Sequence, residues 1–135
     1  MKYKTSELTG ARLDQAVAKA CGYVYDVNID EDFIVTSLDP TIPPRPPEHV
    51  HREVCRVVID GQDRSFCPSS EWVHGGPIIE RERIVITPQM GGGRWAAHIQ
   101  VDVPAIDGQV QIGSTPLVAA MRAFVAAALG GEVEL

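Results

Sequence analysis

The sequence has no apolar run long enough to cross a bilayer. Its most apolar stretch, residues 117–129, is broken by Arg122 and falls short of the roughly 20 residues that a spanning helix needs. The first ten residues, MKYKTSELTG, contain no apolar block of the kind a secretory leader carries, so no signal peptide is expected. Cysteine is scarce and odd in number. Cys21, Cys55 and Cys67 show no C-x-x-C spacing, which argues against a disulfide framework and for reduced thiols in a cytoplasmic setting. Positive charge is also short. Twelve Lys and Arg against eighteen Asp and Glu give a formal net charge of −6, and the basic residues are scattered among acids. Phosphate backbones are bound by releasing counterions to Lys and Arg, so a nucleic-acid partner is not expected. No GxSxG, HExxH, P-loop or dinucleotide fingerprint is present.

The rest of the composition is ordinary. With 44% hydrophobic and 22% charged residues, the chain is neither disordered nor collagen-like, and 135 residues suit one domain spanning 1–135. Apolar residues at 13, 16, 17, 20 and 21 recur at helical spacing. Thr9 stands where an N-cap belongs, Leu8 and Leu13 occupy the hydrophobic-staple positions, and Gly22 can close the helix in a left-handed conformation. From Tyr23 to Ile29 the period changes to two, which predicts a half-buried strand. Asp30-Glu31-Asp32 then reads as a turn, and residues 33–36 as a second strand in a hairpin with the first.

Residues 39–48, DPTIPPRPPE, hold half of the chain's ten prolines. Proline lacks an N–H and fixes φ, so this segment reads as a Pro-rich surface loop. Residues 53–59 and 64–67 read as strands around a turn at 60–63. Ser69 begins a short turn or helix carrying Trp72. Gly75-Gly76 is expected to interrupt it, with Pro77 starting the next helical stretch. Residues 84–87 and 95–101 read as an antiparallel pair around a glycine turn at 91–93, and Val110 and Ile112 fit a short edge strand. Thr115 caps, Pro116 takes the first position, and 117–129 forms an alanine-rich helix ended by Gly130-Gly131. The pattern predicts an α+β fold: an antiparallel sheet of about five or six strands, packed by the N-terminal and C-terminal helices, with one short middle helix.

Several positions are candidates for chemistry, each with a plainer explanation beside it. Gly75 and Gly76 before a helix start would let backbone N–H groups approach an anion, but glycines also serve tight corners. Pro77 removes one of those donors. Trp72 either stacks on a planar ligand or lies in the core, and the burial habits of large aromatics favour the core. Glu80 is a candidate carboxylate within Glu80-Arg81-Glu82-Arg83, although such runs are usually solvated helix faces. Ser114 and Thr115 sit at a second helix start that suits an anion, and capping accounts for them equally. Arg122 interrupts an apolar helix, where a buried cation needs a partner. The partner is either an acid such as Asp14 or Glu80, or an anionic ligand in a cleft between helix and sheet. His49-Val50-His51 offers a metal half-site with no third ligand at a recognisable spacing, so no metal is expected. No Cys–His nucleophile pair stands out among His74, His98 and the three cysteines.

Three stretches taken in order carry a resemblance. The first is Lys4-Thr5-Ser6-Glu7-Leu8-Thr9-Gly10 running into Leu13-Asp14 and Ala16-Val17-Ala18-Lys19. The second is Pro68-Ser69-Ser70, Trp72 and Gly75-Gly76-Pro77-Ile78-Ile79-Glu80-Arg81-Glu82. The third is Gly113-Ser114-Thr115-Pro116-Leu117, Ala119-Ala120-Met121-Arg122 and Gly131-Glu132-Val133-Glu134. Together they resemble the NinX-like family of small bacteriophage and prophage proteins. The resemblance brings no catalytic residue. It implies an accessory phage protein acting in the cytoplasm of an infected or lysogenic bacterium.

The functional expectation that follows is binding rather than catalysis. A compact acidic phage protein would hold, and sequester, a small anionic host molecule such as a nucleotide-derived defence signal. Its site would draw on Trp72, Gly75, Gly76, Pro77, Glu80, Ser114, Thr115 and Arg122. Two other readings stay open: an adaptor or inhibitor that docks on a host protein through the proline loop, and a small hydrolase using Glu80 or a His–Cys pair. No cofactor and no membrane partner are expected. A homo-oligomer is expected, because a small sheet leaves an edge strand to cover.

Overall fold

The computed structural model describes residues 1–35, 48–99 and 110–135, and within these the side chains of all but residues 27–35 and 48–52. The fold is α+β, with three α-helices and eight strands in three antiparallel sheets among the described residues. Among the described residues the strands do not join into the single sheet of five or six that the sequence suggested. They divide into two sheets of three strands and one of two.

The first three-stranded sheet is β2 (Val24–Val35), β3 (Glu48–Ile59) and β4 (Gln62–Ser65), in that order. Val24 pairs with Val58 and Val35 with Glu48, so β2 and β3 form one long antiparallel ribbon. The turn expected at Asp30-Glu31-Asp32 is instead an irregularity inside β2, where the register shifts between Asp30 and Phe33. Residues 33–35 pair with β3 rather than folding back on 24–29. An extra residue in one strand is absorbed as a bulge when the partner strand continues past it. The proline-rich segment, up to residue 47, lies outside the described residues, and Glu48 already belongs to β3. The β3–β4 turn is tighter than expected. Asp60 and Gly61 both take positive φ, 52° and 77°, the two-residue geometry whose twist matches a hairpin, so Gln62 and Asp63 fall in β4.

The second sheet is β5 (Ile84–Pro88), β6 (Trp95–Ile99) and β7 (Gln111–Gly113). The expected edge strand is therefore present, while residues 100 and 101 lie outside the described residues. The third sheet was not anticipated. Strand β1 (Lys2–Lys4) pairs with β8 (Glu132–Glu134), Tyr3 lying opposite Val133. A 3₁₀ turn, Thr5–Glu7, follows β1.

Helix α1 (Gly10–Cys21) packs on β2 and β3, and α3 (Pro116–Leu129) packs on all three strands of the second sheet and on α1. Leu13, Val17, Val57, Met121 and Val125 are fully buried where these layers meet. Each such side chain contributes about 1.5–3 kcal/mol by leaving water. The ends of α1 are close to expectation. Gly22 closes the helix at φ 77°, and its N–H reaches back to the carbonyls of Ala18 and Lys19. Thr9 is the N-cap residue, but its side chain makes no capping bond. Gly10 begins the helix at φ 56°, outside the right-handed range. Thr115 does cap α3, accepting from the Val118 N–H at 3.1 Å.

The middle helix differs most from the sequence reading. α2 (Trp72–Glu82) runs unbroken through Gly75, Gly76 and Pro77. Proline at an interior position leaves the Val73 carbonyl without its helical donor, and packing outweighs that loss. A Cβ at Gly75 would lie 2.5 Å from the Pro68 carbonyl oxygen and 2.7 Å from a Leu117 methyl. Gly75 is thus required by close approach to its neighbours and not by a corner. Gly76 has open space around the position of a Cβ, but it precedes Pro77, whose ring crowds any Cβ placed before it in a helix.

The turn leading into α2 is held from below. Asp14, on the core side of α1 and 3% exposed, accepts a hydrogen bond from the Ser69 N–H at 2.8 Å. His74 accepts from the Cys67 N–H at 3.0 Å through Nδ1, and its ring stacks on Phe66 with centroids 5.9 Å apart. That bond places the imidazole proton on Nε2.

Candidate functional site

The N-terminal segment, β7 and the α3 start converge on a hollow of about 480 Å³, lined by Ser6, Arg94, Gln111, Ile112, Ser114 and Arg122 among others. A volume of this size lies in the range of small-molecule sites. Arg122 sits on α3, half-buried, with its guanidinium fixed by main-chain carbonyls. Nε donates to the Leu8 carbonyl at 2.9 Å and one terminal nitrogen to the Ile112 carbonyl at 2.6 Å. This corrects the ion pair with Asp14 or Glu80 that the sequence suggested. The two carbonyls satisfy part of the cation and hold it in one orientation, and the remaining N–H groups have no partner among the described residues. Burial pushes the Arg122 pKa down from its ordinary value, the direction expected where a charge loses solvent without gaining a carboxylate.

Arg94 follows the glycine turn 91–93 and brings a second guanidinium to the same hollow. Ser6 and Ser114 add hydroxyls from opposite sides in sequence. No carboxylate residue lines the hollow among the described residues. Two guanidiniums, two hydroxyls and an amide make a donor-rich cavity in a chain of net charge −6. Planar guanidiniums offer parallel N–H donors to carboxylate or phosphate oxygens.

Of the residues expected to bind ligand, the hollow brings together Ser114 and Arg122. Thr115 commits its hydroxyl to the α3 cap. Trp72, Gly75, Gly76, Pro77 and Glu80 belong to α2 and are not among the lining residues. Trp72 is not in the core. It opens α2 ahead of the packed side marked by Gly75 and Ile78, and it is 57% exposed next to Val73 at 73%. Glu80 and Pro77 are exposed as well, and Gly75 is a buried packing position. Ser6, Arg94 and Gln111 were missed, because distant parts of the chain bring them in and none carries a local motif.

Recognition of the family rests on more than three short stretches. The family model for bacteriophage P22 NinX matches residues 4–128. The chain belongs to this family. No curated protein matches the sequence. Every residue named above as lining the hollow falls inside the NinX match. No helix of this NinX-family chain is long and apolar enough, among the described residues, to cross a membrane.

Two of the three thiols of this NinX-family chain, Cys21 and Cys55, are shifted away from nucleophilic work. Burial, with the Asp14 carboxylate adding to it, pushes the Cys55 pKa from 9.0 up to about 12. Burial also raises that of Cys21 against the opposing effect of Arg81. A nucleophilic cysteine needs the opposite shift. His49 and His51 lie in β3 at positions whose side chains are outside the described residues. The Cys55 shift has a measurable consequence. The unfolded chain releases this proton near pH 9 and the folded chain only near 12, so the folded state binds more protons across that interval. Stability present below pH 9 is therefore lost as pH rises through about 12. Urea denaturation across this range should give a shallower alkaline decline for Cys55→Ala than for the parent chain.

Proposed function

We propose that this NinX-family protein acts by binding: it holds a small anionic molecule of the bacterial host in the Arg94–Arg122 hollow and so sequesters it. A nucleotide-derived defence signal is the ligand class that fits this reading, and the cytoplasm of the infected or lysogenic host is where it would act. The observation that supports it is the hollow's donor set, two guanidiniums and two hydroxyls with no carboxylate residue lining it among the described residues. Arg122 is pre-oriented by two carbonyl bonds, so less side-chain freedom is lost on binding.

Calorimetric titration with a panel of nucleotides and cyclic nucleotides tests the proposal. Arg94→Glu is the informative variant, because Arg94 is exposed and the change reverses one charge while leaving the Arg122 bonds in place. Binding should weaken by at least about tenfold, the cost of losing one charge-assisted hydrogen bond. A parent chain that binds no member of the panel overturns the small-ligand reading.

One observation favours a second reading, docking on a host protein. Trp72 and Val73 are adjacent, apolar and exposed, and tryptophan is enriched among interface hot spots. On that reading, binding survives Arg94→Glu and fails with Trp72→Ala. We also propose self-association, with the fully exposed strand β4 as the edge to be covered. Native mass spectrometry reports its stoichiometry together with any retained small molecule.

A further inference from the structure

A second hollow, of about 450 Å³, is lined in part by residues on either side of Ser6 in sequence, in and before the 3₁₀ turn Thr5–Glu7. Ser6 lines the first hollow, and Lys4 and Glu7 line the second. Leu8 connects the two: it lines the second, and its carbonyl is held by Arg122 of the first.

The two hollows differ in chemistry. In the second, the Arg12 guanidinium lies over the Tyr3 ring, 4.6 Å from its centroid, and also donates to the Tyr3 hydroxyl. These two contacts hold an exposed guanidinium against the tyrosine. The cations on this side are offset by acids. Glu7 lines the hollow, and Lys2 and Lys4 face Glu134 and Glu132 across the β1–β8 pair. A phosphate is therefore favoured in the first hollow, where no acid lines the walls among the described residues. The second offers a flat cationic surface, on which planar rings stack.

We infer that the two hollows form one bipartite site for a phosphate ester carrying a flat ring, with the phosphate on Arg94 and Arg122 and the ring on the Arg12–Tyr3 stack. This rests on the anion-binding reading above and narrows its ligand class. The probes are inorganic phosphate, adenosine and adenosine 5′-monophosphate, titrated calorimetrically into the full chain. The monophosphate should bind at least about tenfold more tightly than phosphate, the scale of one ring stacked on a protein platform. Arg12→Ala should remove that gain while leaving phosphate binding unchanged. Arg12→Lys, which keeps the charge but not the plane, should behave like Arg12→Ala. Far-UV circular dichroism checks that both variants fold.

Equal affinity for phosphate and the monophosphate overturns the bipartite site and leaves the phosphate hollow standing, as does an Arg12→Ala variant that retains the full gain. Full affinity of Arg12→Lys for the monophosphate would replace stacking with simple charge attraction and overturns the ring assignment. Adenosine binding as tightly as the monophosphate overturns the phosphate assignment as well.

Discussion

Gly113→Ala should cost about 3 kcal/mol of stability, at the upper end of what overpacking a close contact does. A Cβ at Gly113 would fall within van der Waals distance of the Ala119 backbone nitrogen, 2.9 Å from the Ala119 Cα and 3.0 Å from the Val118 carbonyl carbon. All three are backbone atoms of α3. A crowded side chain turns away, but a helix backbone moves only as a body, so β7 must separate from α3. The loss reaches the site, because β7 carries the Ile112 carbonyl that orients Arg122. Denaturation in urea reads the stability change, and titration with the nucleotide panel reads the binding loss. An unchanged midpoint together with unchanged binding would mean that the β7–α3 approach is looser than described.

The second large effect is expected at Asp14. Its carboxylate lies beneath the turn before α2 and accepts from the Ser69 N–H at 2.8 Å, with both residues buried. Asp14→Ala leaves that N–H without its acceptor in a dry site, and the expected loss is about 3 kcal/mol, toward the top of the range for a buried donor stripped of a charged partner. Asp14→Asn keeps an oxygen in the same place and should lose roughly half as much, since a neutral acceptor makes the weaker bond. The denaturant slope should stay constant if the compactness of the unfolded chain is unchanged. Equal losses for the two variants would show that the charge, and not the Ser69 bond, is what matters.

The outer helices were legible because each is amphipathic or apolar over several turns and is bounded by residues with a strong positional preference, such as Gly22 and Pro116. The middle helix was misread because Gly75-Gly76-Pro77 locally reads as punctuation. Gly75 is instead a packing position inside α2, set closely against Pro68 just before the helix and against Leu117, far away in sequence. The acidic triplet at 30–32 misled for the same reason: a turn composition is overridden when a partner strand continues alongside it. Strand positions were visible, but their grouping into three sheets was not, since pairing is a non-local choice and a three-residue strand such as β1 carries almost no periodic signal. At the site, Arg122 and Ser114 stood out, one as a cation in an apolar helix and the other beside a helix start. Ser6, Arg94 and Gln111 are unremarkable locally and become neighbours only through the fold. Trp72 shows the limit of a residue-type preference, because its position at the start of α2 leaves it at the surface.

The pairing of β1 with β8 has a practical consequence. Thr5 is tied to the other end of the chain twice, by its N–H to the Gly131 carbonyl and by its hydroxyl to the Gly130 carbonyl, at 2.9 and 2.7 Å. The Lys19 ammonium reaches the Glu134 carbonyl. The last few residues therefore act as a clasp on the segment that floors both hollows. An affinity tag fused at either terminus will stand beside the β1–β8 pair, and trimming residues 132–135 will loosen Tyr3 and Thr5 together.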